Sequence, residues 1–364
     1  MADIFDYLLW RGDLPLRRAP FTPADGAILA QLAYAPFADL PPEYWNDTPT
    51  LGEACGELAN HPDLKERTLL KDDPRLIRTL AQCPRFAPME LADHADLFDA
   101  ESDTQFSATT FRLGEGLWYL AFRGTDQTVT GWKEDFNMSF TLPVPAQTLA
   151  EKYLEAAALN LPGRFILGGH SKGGNLAVYA AAACPAEVRE RIAKVYNFDG
   201  PGFDEPFLET PGYLELQDRI YTFVPEDSVF GLMLGHAETH TVVKSTSLGV
   251  LQHILYSWHF TPTGFEELET VSRGSKALDK TLKNWLAALT LEQREILVET
   301  LFGVLESPKL DDLRELGSSL PSAAKTMMES ARSMDPDTKK ALQQCLTALG
   351  KAARAGLWDT ITGK

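Results

Sequence analysis

The stretch that most restricts the fold is Gly168-Gly169-His170-Ser171-Lys172-Gly173-Gly174. The apolar run Arg164-Phe165-Ile166-Leu167 precedes it, and Asn175-Leu176-Ala177-Val178-Tyr179-Ala180-Ala181-Ala182 follows. The first reads as a strand and the second as a helix. A chain that passes from strand to helix so quickly must turn sharply at Ser171, and glycines two residues away on each side permit that turn. The bare pattern G-x-S-x-G is weak, because both residues are common. Its setting between strand and helix gives it weight, and makes Ser171 a candidate nucleophile. Free N–H groups and the positive dipole end of the following helix would favour an oxyanion there. A glycine-rich turn without chemistry is the competing reading.

Short apolar runs recur on both sides: Phe106 to Phe111, Leu117 to Phe122, Ile192 to Phe198, Arg219 to Val224 and Thr239 to Lys244. Helical stretches separate several of them, at Ala146 to Ala158 and Gly174 to Ala183. Alternating strands and helices imply an α/β fold with a mostly parallel central sheet. The first hundred residues read as helices and loops, with helix starts at Thr22-Pro23 and Asp73-Pro74. The first of these helices carries Ile28, Leu29, Leu32 and Ala33 on one face. Beyond residue 274 apolar residues recur at helical spacing, as in Leu278, Leu282, Trp285, Leu286 and Leu289. The expected organisation is one domain over 1–274, including a helical N-terminal region over 1–100, and a helical C-terminal appendage over 275–364.

A serine nucleophile needs a base and an orienting acid. In this kind of fold they follow in the order Ser, Asp or Glu, His. Asp227, in the loop after the strand ending at Val224, is the first choice of acid. Glu226 beside it and Asp199, one strand earlier, are alternatives. The base must come later, from His236, His240, His253 or His259. His253 is favoured because it follows the last strand, and His236 comes next. The oxyanion donors would be the N–H groups of Lys172 and Thr125, the latter in the turn after Phe122. Trp132, Phe136 and His170 are candidate substrate-binding residues, with core packing as the alternative for the two aromatics.

These residues resemble the class 3 lipase family, over roughly 104–260. Ala121-Phe122-Arg123-Gly124-Thr125 is similar to that family's oxyanion strand, and Trp132-Lys133-Glu134-Asp135 to the W-x-x-D after it. The Ser171 turn resembles its G-H-S-L-G-G, with Lys172 in place of Leu. Asp227-Ser228-Val229 is similar to the D-x-V of its acid loop, and Gln252-His253-Ile254-Leu255-Tyr256 to the D-H-x-x-Y around its base. The resemblance implies an α/β-hydrolase fold and strengthens His253 over His236. The opening Asp6-Tyr7-Leu8-Leu9-Trp10-Arg11-Gly12-Asp13 and the Ser171-Lys172-Gly173-Gly174-Asn175 form of the turn look like a bacterial lipase-like branch that implies no particular substrate. The lysine raises the expectation of a cation beside the site.

The expected function is therefore a serine hydrolase of carboxylesterase or lipase type, acting on a small-molecule or lipid-like ester of an apolar acyl group. An amidase, peptidase or acyltransferase with the same triad is an alternative, as is a non-catalytic interaction protein docking a protein partner on the C-terminal helices. No cofactor or metal is implied. The formal charge of −17, from 51 acidic and 34 basic residues, argues against nucleic acid. No run approaches the roughly 18 apolar residues of a membrane span. Four cysteines without CxxC spacing, and an opening stretch bearing Asp3 and Asp6 rather than a signal-peptide pattern, point to the cytoplasm.

Overall fold

The structure is a computed structural model that describes residues 2–276, except 100, 103, 127–133, 135–136 and 139–140. Trp132, Phe136 and the helices expected beyond 276 lie outside the described residues. Contacts divide the chain into two units. One comprises 1–98, 106–124 and 146–271, and the other 99–105, 125–145 and 272–364. Within the second unit the Glu134 carboxylate accepts the Gln105 N–H at 3.2 Å, and Gln105 Oε1 accepts the Asp126 N–H at 3.1 Å.

The described strands are β1 (Leu91–Asp99), β2 (Thr104–Gly114), β3 (Leu117–Phe122), β4 (Arg164–His170), β5 (Ile192–Phe198), β6 (Ile220–Pro225), β7 (His240–Val243), β8 (Phe260–Thr261), β9 (Gly264–Phe265) and β10 (Glu267–Leu268). The main sheet runs β1-β2-β3-β4-β5-β6-β7-β10. Strands β3 to β7 are parallel, while β2 and β10 are antiparallel to their neighbours β3 and β7. The mostly parallel sheet is as the apolar runs imply. Strand β1 is not foreseen. It is an edge strand carrying Asp93, His94, Asp96 and Asp99, and an edge facing water needs no apolar run.

The helices of the N-terminal region are α1 (Ile4–Arg11), α2 (Pro23–Leu32), α3 (Leu51–Ala59), α4 (Leu64–Arg67) and α5 (Asp73–Leu80). Those between the parallel strands are α6 (Pro145–Asn160), α7 (Lys172–Ala183), α8 (Ala186–Arg189), α9 (Glu205–Leu208) and α10 (Pro211–Leu216). Because β3 to β7 lie side by side in chain order, right-handed crossovers put the connecting helices on one face. There Tyr153 of α6 packs against Phe106 and Phe122. The opposite face is covered by the first ninety residues together with Trp258 and Phe265, which pack on Phe198. Helix α2 covers it, and the Tyr119 hydroxyl donates to the Gly26 carbonyl at 2.9 Å.

The structure corrects the expected one-sided α2, since every residue from Ala24 to Leu32 is buried. The helix is sandwiched between the sheet and the rest of the N-terminal region. Burying Ile28, Leu29 and Leu32 at about 1.5–3 kcal/mol each outweighs the roughly 1 kcal/mol cost of Gly26 in mid-helix. Its start is a capping box between Thr22 and Asp25, as the Thr22-Pro23 signal predicts. Asp25 also forms a fully buried ion pair with Arg85, with Nε to Oδ1 and Nη2 to Oδ2 both 2.6 Å. Arg85 spends its remaining donors on the carbonyls of Leu14, Ala19 and Pro20, so the buried charge is hydrogen-bonded throughout.

Candidate active site

Strand β4 ends at His170, and the chain enters α7 one residue later. Ser171 takes up the turn with φ 58° and ψ −133°, a backbone conformation that side-chain-bearing residues rarely adopt. Two glycines make it achievable. A Cβ on Gly169 would lie 2.3 Å from the Gly173 carbonyl, and one on Gly173 would lie 2.1 Å from the Phe122 carbonyl. The turn is anchored by the Ser171 N–H donating to the Phe198 carbonyl at 3.0 Å. Gly124, two residues past β3, also approaches closely. A Cβ there would stand 2.2 Å from the Tyr34 hydroxyl, 2.6 Å from the His170 carbonyl and 3.1 Å from Ser171 Cβ.

The neighbouring strand brings Asp199 to this turn. Phe198 pairs with His170 across β5 and β4, and Asp199 follows it with φ 55°. The Asp199 carboxylate is fully buried. Its Oδ2 lies 2.6 Å from His253 Nδ1, while Oδ1 accepts from the Ser228 hydroxyl at 2.5 Å and the Gly231 N–H at 3.2 Å. With Nδ1–H directed at a carboxylate, Nε2 is the basic nitrogen of His253. The His253 ring is wedged between the rings of Phe230 and His170, each 4.5 Å away between centroids, and 19% of its side chain is exposed.

Asp227, the first-choice acid from sequence, does not meet His253 through its carboxylate. Its Oδ2 accepts from Gln252 Nε2 at 3.0 Å and from the Gly249 N–H at 3.2 Å. The carboxylate on His253 is the sequence alternative, Asp199. Both aspartates follow parallel strands at the same end of the sheet, and the left-handed φ of Asp199 turns its side chain toward the histidine.

His170, a candidate substrate-binding residue from sequence, has partners within the protein. Its Nε2 donates to the His253 carbonyl at 2.7 Å, and its Nδ1 stands 3.2 Å from the Tyr34 hydroxyl. Both ring nitrogens are engaged inside the protein. Burial drives the His170 pKa well below the usual histidine range, and the neighbouring His253 adds to this, so the ring is neutral. It links the serine turn to the loop carrying His253. Lys172 is 1% exposed, so the cation expected beside the site is a buried side chain, while its backbone opens α7. Thr125 directly follows Gly124 in the chain and belongs to the second unit.

The other candidate bases have different surroundings. His236 Nδ1 meets Glu238 at 3.0 Å and His259 Nδ1 meets Glu266 at 2.9 Å, while His240 is exposed on β7. Tyr34 and Gly231 are absent from the sequence reading, and Ser228 and Gln252 enter it only as neighbours of Asp227 and His253. Tyr34 is 136 positions from the histidine it touches and carries no local signal. Among the described residues, no group of His, Cys, Asp and Glu side chains is placed to hold a metal ion. No helix among them is long and apolar enough to cross a membrane.

A mostly parallel sheet covered on both faces, with a strained serine between strand and helix, places the protein in the α/β class. The Mbeg1-like family matches over residues 80–303, more than half of the chain, and the protein belongs to that family. Among solved structures, the chain is similar to a Rhizomucor miehei lipase propeptide complex at 12% identity, covering 62% of this chain and 82% of that one, with a TM-score of 0.36. It is also similar to a mutant form of MDLA from Penicillium cyclopium at 14% identity, covering 63% and 87%, with a TM-score of 0.34. No curated protein matches the chain.

Proposed function

We propose that this protein is a serine carboxylic-ester hydrolase using Ser171 as nucleophile, His253 as general base and Asp199 as the orienting acid. The observation that carries the reading is the 2.6 Å contact between Asp199 and His253 Nδ1, beside a serine held at φ 58°. His253 Nε2 takes the hydroxyl proton as Ser171 Oγ attacks the ester carbonyl. The proton then passes to the departing alcohol, and water, activated by the same histidine, releases the acid. Asp199 fixes the tautomer and stabilises the imidazolium. The Lys172 N–H at the opening of α7 suits an oxyanion donor, and the place of Thr125 in the turn after β3, with the family resemblance, makes it the second.

An ester with an apolar acyl group is the substrate class, on the resemblance to class 3 lipases. The test is a fluorophosphonate probe together with esters of increasing acyl length, with Ser171→Ala as blank. Labelling of wild type but not of the variant, with turnover lost in the variant, is expected. Ester turnover surviving in Ser171→Ala, or a folded wild type that neither labels nor turns over any ester, would sink the reading. Amide turnover exceeding ester turnover would reassign the protein to the amidases on the same residues.

A further inference from the structure

The loop predicted to supply the acid instead holds both partners of the histidine pair. Asp227 and Gln252 are joined at two points. Gln252 Nε2 donates to Asp227 Oδ2 at 3.0 Å, and the Asp227 N–H donates to Gln252 Oε1 at 2.9 Å. The Gly249 N–H closes the loop on the same Oδ2 at 3.2 Å. Gln252 is 3% exposed, and its carbonyl accepts from Trp258 Nε1 at 2.8 Å. The next residue is His253, whose own carbonyl is held by His170 at 2.7 Å. On the other side, Ser228 and Gly231 fix the remaining oxygen of Asp199. One short turn, Asp227 to Gly231, therefore reaches His253 through Gln252 and Asp199 through Ser228.

We infer that Asp227 and Gln252 are positioning residues, a clamp that sets the depth and angle of His253 against Asp199. The inference rests on the proposed triad and adds to it two residues that do not touch the reacting atoms. The clamp does not require the negative charge of Asp227. Both bonds to its carboxylate fall on Oδ2, and the residue is partly exposed, so an amide oxygen in that place can accept both while its NH₂ group meets water.

The role of Asp227 can thus be separated from that of a triad acid by four variants. Asp227→Asn is expected to keep kcat within about 3-fold of wild type. Asp227→Ala and Gln252→Ala are each expected to lose about 10–100-fold in kcat with KM nearly unchanged, as for a misplaced catalytic group. The double alanine variant should be no worse than the poorer single one, because either change opens the same clamp. An Asp227→Asn enzyme as crippled as Asp199→Asn would overturn the inference and restore Asp227 as the acid. An unchanged Asp227→Ala enzyme would overturn it as well.

The proton between His253 Nδ1 and Asp199, followed by NMR, gives a readout independent of turnover. Its far-downfield signal should persist in Asp227→Asn and exchange away in Asp227→Ala. Retention of a wild-type signal in Asp227→Ala would defeat the clamp. Absence of fluorophosphonate labelling in wild type would defeat the hydrolase reading, leaving the clamp to be judged on this proton.

Discussion

Two of the histidine–carboxylate pairs among the described residues, His253–Asp199 and His236–Glu238, differ in almost everything except their chemistry. Asp199 follows the carboxyl end of β5, whereas Glu238 precedes the amino end of β7. Asp199 gives one oxygen to His253, beside the serine turn. Glu238 accepts from Thr222 at 2.5 Å, from His236 at 3.0 Å and from the Tyr213 hydroxyl. His236 Nε2 is buried without a hydrogen-bond partner, while 19% of the His253 side chain is exposed. Carboxyl ends of parallel strands are where open α/β sheets present ligands, and only the Asp199 pair stands there. A buried histidine–carboxylate contact is therefore not a catalytic signature. In the proposed function its place on the sheet and the serine turn nearby supply that meaning, and without them the same contact is a strut.

The sharpest way to break this contrast is to neutralise each acid in turn. Asp199→Asn keeps the side-chain shape but favours the wrong tautomer of His253, and kcat on an ester should fall about 10⁴-fold. Glu238→Gln should leave kcat within about 2-fold. Instead it should destabilise the fold by about 1–3 kcal/mol, because His236, Thr222 and Tyr213 lose a charged acceptor. Parallel measurements of kcat and of Tm by calorimetry separate the two effects. Equal losses of activity in both variants would erase the distinction.

A pH titration of stability sharpens it further. Burial pushes the Glu238 carboxyl up, but the bonds and charge of His236, with the hydroxyls of Thr222 and Tyr213, outweigh it and hold the pKa at about 2, below the ordinary 4.5. A carboxylate with a lowered folded-state pKa contributes stability that is full above its unfolded value and lost as pH falls through the folded one. The stability difference between wild type and Glu238→Gln should thus shrink as pH falls from about 4.5 to about 2. Urea unfolding of both proteins across that range checks it, and a difference that grows on acidification would contradict the sign.

The same contrast shows how much of the molecule was legible beforehand. Strands β2 to β7 announced themselves as short apolar runs, because strands buried on both faces leave little room for polar residues. Ser171 was legible because its turn needs small neighbours at fixed spacing. That His253 would lie near the Ser171 turn was legible from its place after the last long strand, and the structure sets its ring 4.5 Å from that of His170. The choice between Asp199 and Asp227 was not. Both carboxylates follow strands at one end of the sheet, and which one faces His253 depends on the left-handed φ of Asp199 and on the Asp227–Gln252 bonds. Strand β1 escaped because its charged edge mimics a loop.

Tyr34 tests the most distant support, on the Asp199 side alone. It follows α2, in the N-terminal region that covers the sheet face, and its hydroxyl meets His170 Nδ1 at 3.2 Å. His170 in turn donates to the His253 carbonyl, so a residue 136 positions upstream of His170 braces His253 indirectly. Removing the hydroxyl in Tyr34→Phe costs its neutral hydrogen bonding to His170, about 0.5–1.5 kcal/mol of stability per bond. Because the His253 carbonyl and its Asp199 contact remain, kcat should fall only a few-fold. The change should leave the Glu238 pair untouched, so the acid-limb stability difference seen with Glu238→Gln should be the same in the Tyr34→Phe background. A loss of kcat approaching that of Asp199→Asn would mean that the N-terminal region sets the base as strongly as its own carboxylate does.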